Sequence, residues 1–172
     1  VCAVMPNIKQ TLLREHYRCH PKIINFCNQR FYGGNLLIMT EDNNESNVLT
    51  AVKTAPGHHT RGHYNQREID VVKEEIMPNL HDETDIGIIT PYNLQVNEFN
   101  RQIPIVETAT IHKYQGREKD TIIMSVVDDE ITDFADNPNL LNVAISRAKK
   151  HFCLVVSGNE QERAGNITDL VD

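Results

Sequence analysis

Alternation between short apolar runs and amphipathic helical segments is the feature that most constrains how this chain can fold. The runs at 85–90 and 121–127 are apolar at nearly every position, whereas a strand with one wet face would alternate apolar and polar residues. Helical periodicity predicts helices over 21–32, 66–77, 94–102 and 139–149. Strands that are apolar on both sides need helices on both faces of their sheet, so the pattern predicts an α/β fold with a mostly parallel sheet.

Four shorter segments complete the predicted sheet, and one irregular stretch interrupts it. Extended structure is predicted at 36–39, 48–52, 105–106 and 152–156. The stretch 54–65 has no periodicity and contains Pro56, Gly57 and Gly62, so we predict a mobile loop there. In such a sheet, polar groups at the carboxyl ends of strands are expected to converge on one ligand crevice.

Composition sets the protein class. A chain of 172 residues suits a single domain over 1–172, and its first residues suggest a fragment of a longer protein. Its net charge of -7 argues against a basic face that grips nucleic acid over its whole extent. Apolar runs are far too short for a membrane span. The 4 cysteines form no Cys-x-x-Cys pair, so we expect a reducing, cytoplasmic setting. The group of His58, His59 and His63 has no Cys or carboxylate at ligand spacing, so we expect no metal site.

Four motifs follow one another along the chain. They are YRCHP at 17–21, ITPY at 89–92, TIHKYQGRE at 110–118 and LNVAISRA at 141–148. In this order they resemble the second motor domain of superfamily 1 helicases, in the branch of the nonsense-mediated-decay RNA helicases and their DNA-acting relatives. The resemblance runs over roughly residues 12–158 and implies a RecA-like fold, with a mostly parallel sheet and helices on both faces.

The resemblance implies a set of nucleotide contacts. In this family the arginines that match Arg18 and Arg147 are arginine fingers, which reach the terminal phosphate of a nucleotide across a domain cleft. A guanidinium suits that task because it is permanently charged and can meet phosphate oxygens bidentately. By the same resemblance Glu118 accepts hydrogen bonds from the ribose and Tyr17 lies near the adenine. The dipeptide of Gln115 and Gly116 is expected to form a bend close to the nucleotide.

A second implied group would contact the sugar-phosphate backbone of a single strand. Its members are Thr90, Pro91, Tyr92, Thr110, His112 and Lys113. Hydroxyl groups and backbone donors can hold phosphates without reading sequence, which suits a motor that steps along any strand.

One part of a complete ATP site is missing. The chain contains no Gly-Lys dipeptide and therefore no phosphate-binding loop of the Gly-x-x-x-x-Gly-Lys-Ser/Thr type. The resemblance then implies that ATP with Mg2+ is bound mainly by a first RecA-like domain that precedes this one. The expected partners are that domain and single-stranded DNA or RNA, and this fragment alone is expected to be inactive.

Other interpretations remain open from the residues. One is a non-catalytic α/β module that binds nucleic acid or protein. Another is a freestanding magnesium enzyme that uses Asp128, Asp129 and Glu130, although the acids continue through Asp133 and Asp136 and favour a solvated loop away from a bound strand. Arg147 could instead only complement the carboxyl end of a helix.

Overall fold

A five-stranded parallel sheet is the central element of the fold. The computed structural model describes residues 15–57, 60–80, 85–129, 132, 136–158 and 167. The strands in chain order are β1 (Glu15–His16), β2 (Leu37–Ile38), β3 (Leu49–Lys53), β4 (Ile86–Thr90), β5 (Glu107–Thr110), β6 (Lys119–Ser125) and β7 (Ala148–Val156). The main sheet has the order β3-β7-β6-β4-β5 with every neighbouring pair parallel, and β1 and β2 form a separate parallel pair.

Helices cover both faces of this sheet, as predicted. They are α1 (Pro21–Phe31), α2 (Gln66–Val71), α3 (Asn93–Gln102) and α4 (Pro138–Ser146). One apolar cluster joins α1 and α4 to residues such as Ile122 and Phe152, and a second joins α2 and α3 to residues such as Ile88 and Ile123. The strands are buried on both sides for this reason, which confirms the RecA-like α/β class.

Local sequence explains where the helices begin. The side chains of His20, Asn65 and Asn137 each accept hydrogen bonds from the first free backbone amides of α1, α2 and α4. Pro21 and Pro138 occupy the first helical positions, where a missing N–H costs nothing.

The predicted strand at 105–106 is wrong. The Ile105 side chain is 87% exposed, and the amide of Val106 donates to the carbonyl of Ile103 over 3.3 Å, which closes a turn. Pro104 favours that turn because its ring fixes φ at the second turn position. The strand starts one residue later, at Glu107.

The predicted helix over 139–149 is three residues too long. It ends at Ser146, and β7 begins at Ala148. Pairing with neighbouring chain segments overrides helical periodicity here, since the amide of Lys119 donates to the carbonyl of Arg147 over 3.0 Å. The amide of His20 donates to the carbonyl of Lys149 over 2.7 Å.

The segment after α2 also departs from a regular helix. It continues as a π-helical turn over Val72–Ile76 and a 3₁₀ turn over Met77–Leu80. The described parts of 54–65 hold no helix or strand apart from one isolated bridge between Thr60 and Asn65. The mobility predicted for that loop stays a prediction, and His58 and His59 lie outside the described residues.

Two further features of the described residues concern helix length and the cysteines. No helix among the described residues is long and apolar enough to cross a bilayer. Cys19, Cys27 and Cys153 are free thiols in the interior, and Cys2 lies outside the described residues.

Candidate functional site

Two arginines and a glutamate meet at the edge of the sheet where β6 and β7 begin. We name Arg18, Glu118 and Arg147 the arginine rim. The Arg18 Nη1 atom lies 3.3 Å from Glu118 Oε2, and both side chains are partly exposed. Arg147 donates from Nε to the carbonyl of Val143 over 3.2 Å and from Nη1 to the carbonyl of Arg117 over 3.3 Å. The structure therefore brings both predicted arginine fingers to one rim.

Backbone pairing, rather than sequence proximity, holds the rim together. Arg18 precedes α1, whereas Arg147 caps the carboxyl end of α4. The Cys19 thiol donates to the carbonyl of Ser146 over 3.2 Å, which fixes the start of α1 against the end of α4. Because that junction is buried in the larger core cluster, the backbone positions of Arg18 and Arg147 are held close together.

The charges of the rim are only partly balanced. Burial, and then the nearby Arg18, lower the pKa of the Arg147 guanidinium, which still remains charged at neutral pH. The single carboxylate of Glu118 offsets one of the two positive charges. The Nε atom of Arg18 is also buried without a hydrogen-bond partner among the described residues. An excess positive charge with unused donors is suited to an anionic ligand.

The segment that links β5 to β6 delivers the other predicted nucleotide contacts. It is a series of tight turns in which Gly116 has φ of 78°, a conformation that glycine adopts without strain. Gln115 and Gly116 are exposed beside Glu118, as expected for a bend near a ligand. Tyr114 is instead fully buried and serves core packing.

Tyr17 lies next to Arg18 with 65% of its surface exposed. Its hydroxyl donates to the carboxylate of Glu15, and this hydrogen bond is the largest cause of a raised pKa for Tyr17. The ring is thus free of core contacts and available for stacking.

The residues predicted to contact a strand lie at the other edge of the sheet. Thr90 and Thr110 end β4 and β5 and are direct partners in the register of these strands. Thr90 and Pro91 are buried, and the Thr90 hydroxyl has no hydrogen-bond partner among the described residues. His112 and Lys113 follow Thr110 and are exposed. We name Thr90, Tyr92 and Thr110 the strand-exit surface.

Tyr92 is the best-defined member of that surface. Its hydroxyl donates to Asp128 Oδ2 over 2.6 Å, and its ring stacks on His63 with centroids 4.2 Å apart and planes at 18°. The pKa of Tyr92 rises to about 12, first because of burial and then because of the bond to Asp128.

The interpretation of the acids after β6 as a solvated loop away from the strand contacts is wrong for Asp128. That carboxylate is 9% exposed and is bonded to Tyr92 itself. Among the described residues no group of three or more His, Cys, Asp or Glu could hold a metal ion, and Glu130 and Asp133 lie outside the described residues.

Convergence of all candidate residues on one crevice is a further prediction that the structure overturns. The arginine rim lies where β6 and β7 start, whereas the strand-exit surface lies where β4 and β5 end. β6 has seven residues, so the two edges of the sheet are about 20 Å apart. The cause is the segment after β5, which crosses back to the starting edge before Glu118.

A buried polar network lies beneath the strand-exit surface and was not predicted from the sequence. Its members are Asn65, Glu68, Gln95, Ser125 and Val127. Only Asn65 carried a local signal, as a cap residue before a helix. A fully buried glutamate inside an amphipathic segment is indistinguishable in sequence from a solvated one.

Comparison with known families shows which family the chain belongs to. A family model described as an AAA domain matches residues 2–160. The chain belongs to the AAA domain family, as a superfamily 1 helicase C-terminal domain. The predicted recognition is therefore confirmed.

Several curated relatives of this helicase domain are helicases. The 5'-3' DNA helicase ZGRF1 of Mus musculus is 28% identical over 171 residues, covering 87% of this chain and 9% of that protein. The DNA replication ATP-dependent helicase/nuclease JHS1 of Arabidopsis thaliana is 44% identical over 94 residues, covering 50% of this chain and 7% of that protein. The DNA polymerase alpha-associated DNA helicase A of Saccharomyces cerevisiae is 38% identical over 118 residues, covering 60% of this chain and 17% of that protein. The chain thus spans a small part of the length of each relative.

A solved structure shows the same fold. It is the C-terminal domain of a possible DNA helicase from Lactobacillus plantarum WCFS1, with a TM-score of 0.55 and 17% identity. The match covers 85% of this chain and 90% of that one.

Proposed function

We propose that this helicase domain is the second motor domain of an ATP-dependent helicase or translocase that acts on single-stranded nucleic acid. The observation that carries the proposal is the arginine rim, where Arg18 and Arg147 share one edge of the sheet with Glu118. Curated relatives named as ATP-dependent and DNA helicases support the activity. Because those names specify DNA, single-stranded DNA is the first substrate to test.

The rim residues have separate proposed roles. Arg18 and Arg147 donate to the terminal phosphate and offset the negative charge that builds up during phosphoryl transfer. Glu118 accepts hydrogen bonds from the ribose, beside the bend of Gln115 and Gly116. Tyr17, with its exposed ring, stacks near the base.

ATP with Mg2+ fits these residues only as half of a site. The rim supplies guanidinium donors and one carboxylate, but a phosphate-binding loop is not among its residues. We propose that a preceding RecA-like domain of the same protein holds the phosphates and Mg2+, which would stabilise the leaving phosphate charge. This chain's own residues close the site from the opposite side and exclude water when the two domains meet.

The strand-exit surface has the features of a backbone contact. Tyr92 offers a ring, and the exposed His112 and Lys113, which follow Thr110, offer an imidazole and a charge. Thr90, Pro91 and Thr110 are buried, so their contact with a strand requires a local movement at the ends of β4 and β5. Free, buried cysteines support an intracellular protein in a reducing compartment.

ATP hydrolysis by the full-length protein, with and without single-stranded DNA, tests the proposal. We expect strand-stimulated hydrolysis that falls by about a thousandfold in Arg147→Ala, because arginine fingers contribute that much to phosphoryl transfer. Lys150→Ala is a matched control, since Lys150 is an exposed cation of the same region that pairs with Asp120. Unchanged turnover in Arg147→Ala, or an equal loss in Lys150→Ala, would refute the assignment of Arg147.

A further inference from the structure

A fully buried carboxyl group lies beneath the strand-exit surface and takes no part in the contacts proposed above. The Glu68 side chain, in α2, has no exposed surface. Its Oε2 atom accepts hydrogen bonds from the Ser125 hydroxyl and from the amide of Val127, the latter over 2.9 Å. Both donors belong to the segment that leaves β6.

Val127 is the residue that these contacts hold in an unusual conformation. Its φ is 76°, in the left-handed region that β-branched residues rarely occupy. Its carbonyl accepts hydrogen bonds from Asn65 Nδ2 over 2.8 Å and from Thr60 Oγ1 over 2.6 Å. Backbone strain of this kind persists only where surrounding contacts determine it, and Val127 has such contacts on both its amide and its carbonyl.

The same network reaches the helix that follows β4. Gln95 of α3 accepts from the amide of Asn65 over 2.9 Å and donates to Ser125 Oγ over 3.1 Å. Asn65 in turn caps α2 through the amides of Arg67 and Glu68. The start of α2, the start of α3 and the end of β6 are therefore joined by one buried set of hydrogen bonds.

The turn at Val127 determines what lies beside Tyr92. Directly after it, Asp128 accepts from the Tyr92 hydroxyl over 2.6 Å and Asp129 accepts from the amide of Thr60 over 3.1 Å. If Val127 relaxed to a negative φ, the chain after it would change direction, and the hydrogen bond between Tyr92 and Asp128 would be lost. The conformation of Val127 thus contributes to the orientation of a proposed strand-binding ring, together with the stacking of that ring on His63.

Two polar atoms in this layer have no partner among the described residues. They are the Glu68 Oε1 atom and the Thr90 hydroxyl, both buried. Thr90 lies beside Ser125, since the register pairs Ile89 with Met124 one residue earlier. Buried polar groups are usually hydrogen-bonded, so each of these two atoms is an exception in an otherwise well-bonded network.

We propose that Glu68 is a positioning residue, which holds Val127 in its left-handed conformation and thereby sets the orientation of Tyr92 for binding a single strand. The proposal rests on the proposed function, because the strand-exit surface is taken as the place where the strand binds. It adds a residue outside that surface and a mechanism by which it acts.

Two substitutions of Glu68 separate its acceptor atom from its volume. Glu68→Met keeps a side chain of similar length but removes the acceptor for Ser125 and Val127. Glu68→Gln keeps an acceptor oxygen. Burial raises the pKa of Glu68 to about 8, so the native carboxyl is largely protonated at neutral pH and resembles the amide of glutamine. In the full-length protein we expect Glu68→Met to weaken binding of a fluorescent oligothymidine about tenfold, as measured by anisotropy, and Glu68→Gln to change it less than about threefold.

A rescue experiment distinguishes positioning from general damage. Glycine adopts positive φ without strain, so Val127→Gly added to Glu68→Met should restore most of the strand affinity. A purely structural role for Glu68 predicts the reverse, because the added loss of a buried side chain would only lower the melting temperature further. Val126→Gly, which removes the neighbouring buried valine at a position without positive φ, is the matched control and should not restore affinity.

The outcomes separate this proposal from the proposed function. A wild-type protein that binds no strand and hydrolyses no ATP refutes the proposed function. A wild-type protein that binds the strand, together with a Glu68→Met variant of equal affinity or one that Val127→Gly fails to restore, overturns the positioning role. If Glu68→Met does not fold, the double variant Glu68→Met, Val127→Gly is compared with Val127→Gly alone: equal strand affinities support the positioning role, and a lower affinity of the double variant overturns it.

Discussion

The two edges of the sheet differ in charge, burial and residue type. The arginine rim is charged and partly exposed, and it retains one uncompensated positive charge. The strand-exit surface is uncharged, with Thr90 and Thr110 buried and Tyr92 half-buried, and it rests on a hydrogen-bonded network around a strained residue. A phosphate contact demands charge, which sequence motifs reveal, whereas a backbone contact for any sequence demands orientation, which comes from packing.

Independence of the two edges leads to the prediction with the largest effect. Arg18→Ala and Arg147→Ala should each lower ATP turnover of the full-length protein about a thousandfold, and the double variant should lose little more, since we propose that both side chains act on one phosphate. Arg147→Ala combined with Tyr92→Leu should instead show additive free-energy losses, because residues about 20 Å apart do not share partners. If the two arginine substitutions instead multiplied their effects on ATP turnover, Arg18 and Arg147 would act independently. The arginine rim would then not be a single phosphate site.

The segment that crosses between the edges gives a prediction about stability. A methyl group at Gly87 would overlap the hydroxyl of buried Tyr114 and lie 2.9 Å from its Cζ. Gly87→Ala should therefore lower the free energy of unfolding by about 2 kcal/mol, measured by urea denaturation of the chain.

Tyr114→Phe supplies the matched control for that change. In the Gly87→Ala background it removes the hydroxyl that causes the overlap and should recover part of the loss. A Gly87→Ala variant as stable as wild type would contradict the close packing of this crossing.

The buried network predicts a pH dependence. At low pH the Glu68 carboxyl is protonated in folded and unfolded chains alike; between its unfolded pKa of 4.5 and its folded pKa of about 8 only the folded chain keeps the proton. Unfolding becomes easier as pH rises through this window, by at most about 1.4 kcal/mol per pH unit. His16, whose pKa burial lowers, acts in the opposite direction, so the difference between wild type and Glu68→Gln isolates the glutamate.

Urea denaturation at several pH values between 5.5 and 8 measures that difference. If the free energy of unfolding changed with pH in the same way for wild type and Glu68→Gln, the pKa of Glu68 would not be raised by folding.

The smallest predicted effect concerns the ring at the strand-exit surface. Tyr92→Leu should weaken single-strand affinity about tenfold, as expected for one base stacked on an aromatic side chain. Tyr92→Phe keeps the ring but loses the hydrogen bond to Asp128, so it should weaken binding less. Equal affinities for all three proteins, measured by anisotropy, would remove Tyr92 from the strand contact.

The interior of the fold could be predicted from sequence because burial on both faces leaves continuous apolar runs. Ile86 to Ile89 and Ile122 to Met124 are such runs, and each lies within an observed strand. Element ends were less predictable. Lys149 looks helical by periodicity but pairs as a strand, and Ile105 looks like a strand but is exposed in a turn.

The candidate site was predictable as a set of residues but not as an arrangement. The motifs indicated Arg18, Glu118 and Arg147, and a parallel sheet requires the chain to return to its starting edge between strands, but no motif shows which residues after β5 end up at which edge. The burial of Glu68 and the positive φ of Val127 could not be predicted from the sequence, because both depend on contacts between residues far apart in the chain.

Affinity for a transition-state analogue tests the central claim most directly. The full-length protein and its Arg147→Ala variant would be titrated with ADP alone and with ADP and aluminium fluoride, which mimics the phosphoryl group in transfer. We expect similar affinities for ADP but a loss of about a thousandfold for the analogue in the variant, since an arginine finger acts on the transition state rather than on the ground state. Equal analogue affinity in both proteins would contradict the placement of the nucleotide at the arginine rim.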